Sequence, residues 1–289
     1  MRWKEKGSFL QETFEEWKQD NALQWGAALA YYAALSLAPL LLILLSVAGA
    51  LYSRQAVAGR LVERFETSAG PEAAGMLTAI LENASRPGTG SWAALLGFVF
   101  LLLGASGLFT QLKGALDHLW GVDASADDGD NGLEEAVRAK VMDRLLAFGM
   151  VLLLGVLVLV AMLSSTLVSA LAEFARELLP VGVWAARAIQ LGSSVLLLTL
   201  VVALIFKILP SARVAWRDVW VGALATAVLF VLGQWLLGFY LSHGSVGSAY
   251  GAAGSLIVLL VWIYYSAQIL FFGAELSQVW ARRYGSRMT

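Results

Sequence analysis

Residues 244–274 read GSVGSAYGAAGSLIVLLVWIYYSAQILFFGA and contain no Asp, Glu, Lys, Arg or His. A helix needs about 20 consecutive apolar residues to cross the hydrocarbon core of a bilayer, and this stretch is longer than that. The whole chain is 59% apolar and only 14% charged, whereas a soluble protein is about 25% charged. The stretch therefore predicts a membrane-spanning helix, and the composition predicts that most of the chain lies in lipid.

Five further runs of the same kind precede this one along the chain. The other charge-free runs are 21–53, 87–112, 145–172, 188–206 and 219–242. Because a backbone in lipid must satisfy its own hydrogen bonds, each run is expected to be a helix. The predicted fold is all-α, a single membrane domain over residues 1–289. Its six transmembrane helices are expected at about 27–52, 92–112, 145–171, 187–208, 219–241 and 251–273.

The distribution of Lys and Arg predicts the orientation of these helices. Fourteen of the 20 Lys and Arg residues fall on the side of the two termini, and six fall on the opposite side. Loops rich in Lys and Arg stay in the cytoplasm. Both termini are therefore expected in the cytoplasm.

Three segments are expected outside the bilayer. Residues 1–26 form a cytoplasmic amphipathic segment with an interfacial helix at 8–20, which Ser8 and Gln11 would begin as a capping box. A helix packed on the inner loops is the alternative. Residues 53–91 hold two amphipathic stretches that predict a small helical cap on the outer side. Residues 113–144 are expected to be a cytoplasmic loop, whose acidic part fails the calcium-loop pattern.

Small residues spaced by four mark two of the predicted helices. Gly26, Ala30, Ala34 and Ala38 form one stripe, and Gly247, Gly251 and Ser255 form another. Such stripes let helix backbones approach closely. The first and sixth transmembrane helices are therefore predicted to pack together.

Residue types that carry common enzyme chemistry are scarce. The chain has no Cys, and its two His residues, His118 and His243, are expected in loops on opposite sides of the membrane. Phosphate-loop, nucleophile-elbow and zinc-protease motifs are absent. The isoelectric point of about 6.2 argues against a nucleic-acid partner. We therefore expect no enzyme activity, no cofactor and no metal.

Polar and aromatic side chains inside the apolar runs are the candidate site residues. The expected substrate pathway comprises Tyr31, Tyr32, Pro39, Gln111, Asp117, Gln234, Tyr264, Gln268 and Glu275. Lys113 and Lys207, near the cytoplasmic end, are expected to attract a lipid headgroup. Glu275 is interpreted as a side chain that reaches the membrane surface, and a buried carboxylate at a functional site is the alternative.

Four segments resemble one family of bacterial membrane proteins. They are ALAYYAALSLAPLLLILL (28–45), LLLGASGLFTQLKGALDHLWGV (101–122), LPSARVAWRDVWVGALATAVLFVLGQWLLGFYL (209–241) and YGAAGSLIVLLVWIYYSAQILFFGAEL (250–276). These segments are similar to the YihY/BrkB family, once mislabelled ribonuclease BN. The resemblance implies a six-helix protein of the bacterial cytoplasmic (inner) membrane, in a family linked to envelope integrity, serum resistance and envelope-lipid traffic.

The function expected from these features is movement of lipid. Because the six predicted cores carry no charge, a transporter or flippase-like protein for lipid or lipid-linked envelope components is favoured. An ion-coupled small-solute carrier and a non-transporting scaffold for envelope assembly are the alternatives. The expected partners are membrane lipids, with a second copy of the chain or envelope-assembly proteins as further partners.

Overall fold

The computed structural model describes residues 3–48, 53–84, 107–122, 183–212, 214–243 and 254–285. These residues are helical apart from short turns. The helices are α1 (Trp3–Gln19), α2 (Ala22–Ala48), α3 (Arg54–Ala69), α4 (Pro71–Ala84), α5 (107–119), α6 (Val183–Ile208), α7 (Trp216–His243) and α8 (Gly254–Tyr284). The all-α prediction is confirmed for this part of the chain.

Three of the described helices contain a stretch long and apolar enough to cross a membrane. The stretches are Leu191–Ile208 in α6, Trp216–Gln234 in α7 and Gly254–Tyr284 in α8. The first predicted span, 27–52, falls largely within α2. The span at 145–171 and most of the span at 92–112 lie outside the described residues. The structure therefore shows a helical protein with at least three membrane-length helices.

Helix α8 is the central element, and it packs against α7, α2 and α1. Its closest approach is to α7, where Gly222 faces Gly273. A Cβ atom added to Gly222 would lie 2.1 Å from the Gly273 carbonyl oxygen and 2.0 Å from Ser277 Oγ. Only a residue without a side chain fits at that distance.

Helices α2 and α8 are packed partners, as their small residues predict. The two helices meet at Gly26. A Cβ atom added to Gly26 would lie 2.0 Å from Gln268 Nε2. Gln268 Nε2 also donates a hydrogen bond of 3.3 Å to the Ala22 carbonyl oxygen. Gly247 and Gly251, which belong to the predicted stripe on the other helix, lie outside the described residues.

Helices α3 and α4 form the expected amphipathic pair. The Ser53 hydroxyl accepts a hydrogen bond from the Ala56 amide and begins α3, and Gly70, with φ of 87°, ends it. Their apolar faces pack on α2 through Leu41 and on α8 through Val258. This pair therefore covers the end of the bundle opposite to α1, which lies against the last turns of α8.

Two helix boundaries differ from those expected. Helix α1 already begins at Trp3, so Ser8 lies inside the helix and the predicted capping box is wrong. Helix α5 continues to residue 119, through the start of the segment predicted as a loop. Its last turns stay helical because Leu116 and Leu119 are fully buried while Lys113 and Asp117 form an ion pair one turn apart. Charge-free runs locate the lipid-compatible part of a helix and miss its charged ends.

Candidate functional site

A polar groove of about 400 Å³ lies where the beginning of α2 meets the end of α5. Its lining residues are Asn21, Gln24, Trp25, Ala28, Gln111 and His118. The indole of Trp25 and the imidazole of His118 are 5.7 Å apart between ring centres. The groove therefore offers amide groups, an imidazole and an aromatic face in one concave surface.

Two tyrosines extend this surface along α2. Tyr31 is 59% exposed and Tyr32 is 37% exposed, and their rings meet edge to face at 5.6 Å. Tyr32 lies against Gly107 of α5, where an added Cβ would be 2.8 Å from Tyr32 Cδ1. Because Gly107 and Gln111 are one turn apart, the tyrosines and the groove follow the same seam between α2 and α5.

The remaining expected pathway residues lie elsewhere. Tyr264 and Gln268 face Gly26 in the contact between α2 and α8. Gln234 is a half-buried residue of α7, and it does not line the groove. Pro39 lies within α2, and its side chain is outside the described part of the chain. The structure therefore brings together Tyr31, Tyr32 and Gln111 from the predicted set.

Asp117 and Lys113 connect α5 to the turn between α6 and α7. Asp117 Oδ1 accepts a hydrogen bond of 2.6 Å from the Ser211 amide. Lys113 Nζ donates to Asp117 Oδ2 and to Ser211 Oγ, both at 2.8 Å. These contacts give both side chains a structural role in holding the turn.

Lys207 also binds the protein itself. Its ammonium group donates a hydrogen bond to the Val214 carbonyl oxygen across the same turn. The two lysines expected to attract a headgroup thus both have partners within the chain. Their positive charges therefore lie beside the turn between α6 and α7.

Glu275 differs most from its sequence interpretation. Its side chain is 0% exposed, and its two carboxylate oxygens have no hydrogen-bond donor among the described residues. A side chain that reached the membrane surface would be exposed to water, so that interpretation is wrong. Helix α1 packs against α8 near Glu275. Carboxylate oxygens of Glu16 and Asp20 lie within 4.8 Å of one of its oxygens.

The sequence analysis missed several residues that line the groove or surround Glu275. Asn21, Gln24 and Trp25 stand at the start of α2, in a segment assigned to the amphipathic N-terminus. His118 was expected in a loop and lies in the last turn of α5. Glu16 lies in the last turn of α1 and Asp20 directly follows that helix, four residues later. This spacing places two side chains on one side of a helix and could have marked them as a pair.

The comparisons with known proteins agree with the family resemblance. The family described as Virulence factor BrkB matches residues 13–289. The chain belongs to this family. It is therefore a membrane protein of the BrkB/YihY group, also designated UPF0761. No solved structure matches the chain.

Three relatives of this BrkB-family chain show how much of their length it spans. YfkH of Bacillus subtilis (strain 168), named as ribonuclease-like, is 25% identical over 283 residues, which cover 96% of both chains. A UPF0761 membrane protein of Nitrosospira multiformis is 26% identical over 93% of this chain, and one of Stenotrophomonas maltophilia (strain K279a) is 28% identical over 94%. The chain spans only 60% and 59% of those two proteins.

Proposed function

We propose that the protein moves lipid, or a lipid-linked envelope component, between the two leaflets of the bacterial cytoplasmic membrane. The observation that carries this proposal is the polar groove between α2 and α5, which continues into the exposed Tyr31 and Tyr32. Amide, imidazole and phenol groups can hydrogen-bond a phosphate or sugar headgroup. The groove thus supplies polar contacts for a headgroup while the tails remain in lipid.

Apolar surfaces suited to acyl chains are also present. A groove of about 520 Å³ between α6 and α7 is lined almost entirely by apolar side chains. Leu196 and Leu224, which belong to this lining, are 67% and 51% exposed. Exposed leucines of this kind are expected on a surface that faces lipid. A lipid tail could therefore lie along α6 and α7 without meeting a charged group of the lining.

The proposed topology has both termini in the cytoplasm and six transmembrane helices. The 14-to-6 division of Lys and Arg supports it. Helix α1 also exposes the apolar side chains of Leu10 and Phe14, at 54% and 55%. An apolar strip on a helix outside the bundle suits the membrane surface. We place this surface on the cytoplasmic side, together with the polar groove.

An ion-coupled small-solute carrier is the second candidate function. The buried Glu275 favours it, because carriers commonly keep an ionisable side chain inside the protein to bind the coupling ion. We propose no enzyme activity for this chain. YfkH is named as ribonuclease-like, and that name describes YfkH alone. The groove residues of this chain include one imidazole and no carboxylate.

The test is reconstitution of the full chain into liposomes with a headgroup-labelled phospholipid. A second set of vesicles holds a pH- or Na⁺-sensitive dye. Lipid movement is expected in the first set, and Gln111→Leu should lower its rate because it removes the amide from the groove. Thr110→Leu is the matched control, since Thr110 is an exposed neighbour on α5 that does not line the groove.

Three outcomes separate the candidates. Lipid movement that falls with Gln111→Leu supports the proposal. Cation flux without lipid movement, lost in Glu275→Gln, contradicts it and supports the carrier. Neither activity in vesicles that contain folded protein contradicts both and supports the scaffold.

A further inference from the structure

Three carboxylates meet where the corner between α1 and α2 lies against α8. Glu16 is in the last turn of α1, Asp20 follows its end, and Glu275 is on α8. One carboxylate oxygen from each lies within 4.8 Å of the other two. The next residue, Asn21, has φ of 53°, a left-handed conformation that Asn tolerates and that turns the chain into α2.

Glu275 is the member of this cluster that indicates a ligand. It has no exposed surface, and no donor among the described residues reaches either of its oxygens. A buried carboxylate without hydrogen bonds is strongly disfavoured unless a positive charge or a proton accompanies it. Its side chain faces Glu16 and Asp20, which add negative charge.

The neighbouring arginines do not balance this charge. Arg282 pairs with Glu16 at 3.0 Å and donates to Gln278 Oε1 at 3.4 Å. Arg283 pairs with Glu12 outside the cluster. With all three carboxylates ionised and one arginine paired, about two negative charges remain uncompensated, which is the charge of one divalent cation.

We propose that Glu16, Asp20 and Glu275 bind one hard divalent cation, for which Ca²⁺ is the best match. Ca²⁺ binds oxygen ligands at about 2.3–2.6 Å, so two ligands on opposite sides of the ion are about 4.6–5.2 Å apart. The cluster fits within that span. Glu16 and Asp20 are partly exposed, so the ion can enter from their side and water can complete its coordination.

The bound ion would join α1 to α8 through three charged contacts. The N-terminal helix would then be held in place by an ion as well as by its aromatic contacts with Trp280 and Tyr284. This inference does not rest on lipid movement. Ion binding is measured on the protein in detergent, without vesicles, so the two proposals can fail separately.

The experiment uses the full chain in detergent, treated with a chelator and then dialysed. Equilibrium dialysis with Ca²⁺ alone should give one bound ion per chain, and saturating Ca²⁺ should raise the unfolding midpoint by about 5 °C. Glu275→Gln and Asp20→Asn should each weaken Ca²⁺ binding at least about tenfold, since each removes a charged ligand. Glu15→Gln should bind as the parent does, because Glu15 is exposed on α1 outside the cluster.

Asp20→Asn is included because Asp20 is partly exposed, and its substitution leaves the buried side of the cluster unchanged. The proposal is overturned if the parent binds neither Ca²⁺ nor Mg²⁺ at millimolar concentration. It is also overturned if Asp20→Asn and Glu275→Gln bind as the parent does. A midpoint that rises on acidification with no response to either ion would show that the cluster holds a proton, and would overturn it as well.

Discussion

At the scale of single residues, the sequence predicts where a side chain lies along a helix. It does not predict which other parts of the chain surround that side chain. Glu275 stands near the end of an apolar run, and the sequence alone cannot show that α1 folds back over it. Asp117 also stands near the end of such a run, and it forms a structural contact with Ser211, 94 residues away. Long-range contacts of this kind leave no pattern in the local sequence.

Asp117→Asn should destabilise the protein. The change removes the charge that pairs with Lys113 and weakens the bond from the Ser211 amide. Hydrogen bonds to charged groups contribute about 1.5–3 kcal/mol each, so we expect a loss of about 2 kcal/mol. Thermal unfolding in detergent measures it, with Glu63→Gln on the exposed face of α3 as the control. Equal midpoints for parent and Asp117→Asn would show that this contact does not hold the turn.

The close approach of α7 and α8 predicts a strong effect at Gly222. An added methyl group would meet the Gly273 carbonyl at 2.1 Å, and backbone cannot move aside as a flexible side chain can. Gly222→Ala should therefore lower the free energy of unfolding by about 1–3 kcal/mol or more. Gly192→Ala is the control because no atom lies within 4 Å of its added Cβ. If the two variants unfold at the same midpoint, the helices do not pack in this way.

At the scale of elements, the sequence predicts which segments are helices and which faces they present. It does not predict the neighbours of each face. Tyr32, Tyr264 and Gln268 looked like parts of one polar strip, but α2 places Tyr32 against Gly107 of α5 and contacts Gln268 of α8 through Gly26. Periodicity fixes angles around one helix axis, whereas the order of helices in the bundle depends on tertiary packing.

Phe9 should be one of the anchors of helix α1 on α8, beside the ion pairs of Glu12 and Glu16. Its ring contacts Trp280 at 6.0 Å and Tyr284 at 6.4 Å between centres. Each such pair contributes about 0.5–1.5 kcal/mol beyond the buried area. Phe9→Ala should therefore make α1 more sensitive to limited proteolysis, while Leu10→Ala, on the exposed face, should not. Equal cleavage of the two variants would mean that the Phe9 ring does not hold α1 on α8.

At the scale of the whole molecule, α1 and the α3–α4 pair lie at opposite ends of the bundle. The proposed topology therefore places them on opposite sides of the membrane. The chain has no Cys, so a single introduced Cys can be labelled without interference. In inverted and right-side-out vesicles, Gln19→Cys should react from the cytoplasmic side and Glu66→Cys from the other side. Labelling of both from one side would overturn the topology.

The central claim is that the seam between α2 and α5 carries a lipid headgroup, and the rate of lipid translocation tests it most directly. The rate is measured in liposomes that contain equal amounts of folded parent, Gln111→Leu or Thr110→Leu protein. We expect translocation by the parent and by Thr110→Leu, and a rate at least about fivefold lower for Gln111→Leu, because the loss of one hydrogen bond of about 1 kcal/mol has that effect. Equal rates for the parent and Gln111→Leu, or no translocation above protein-free vesicles, would contradict the claim.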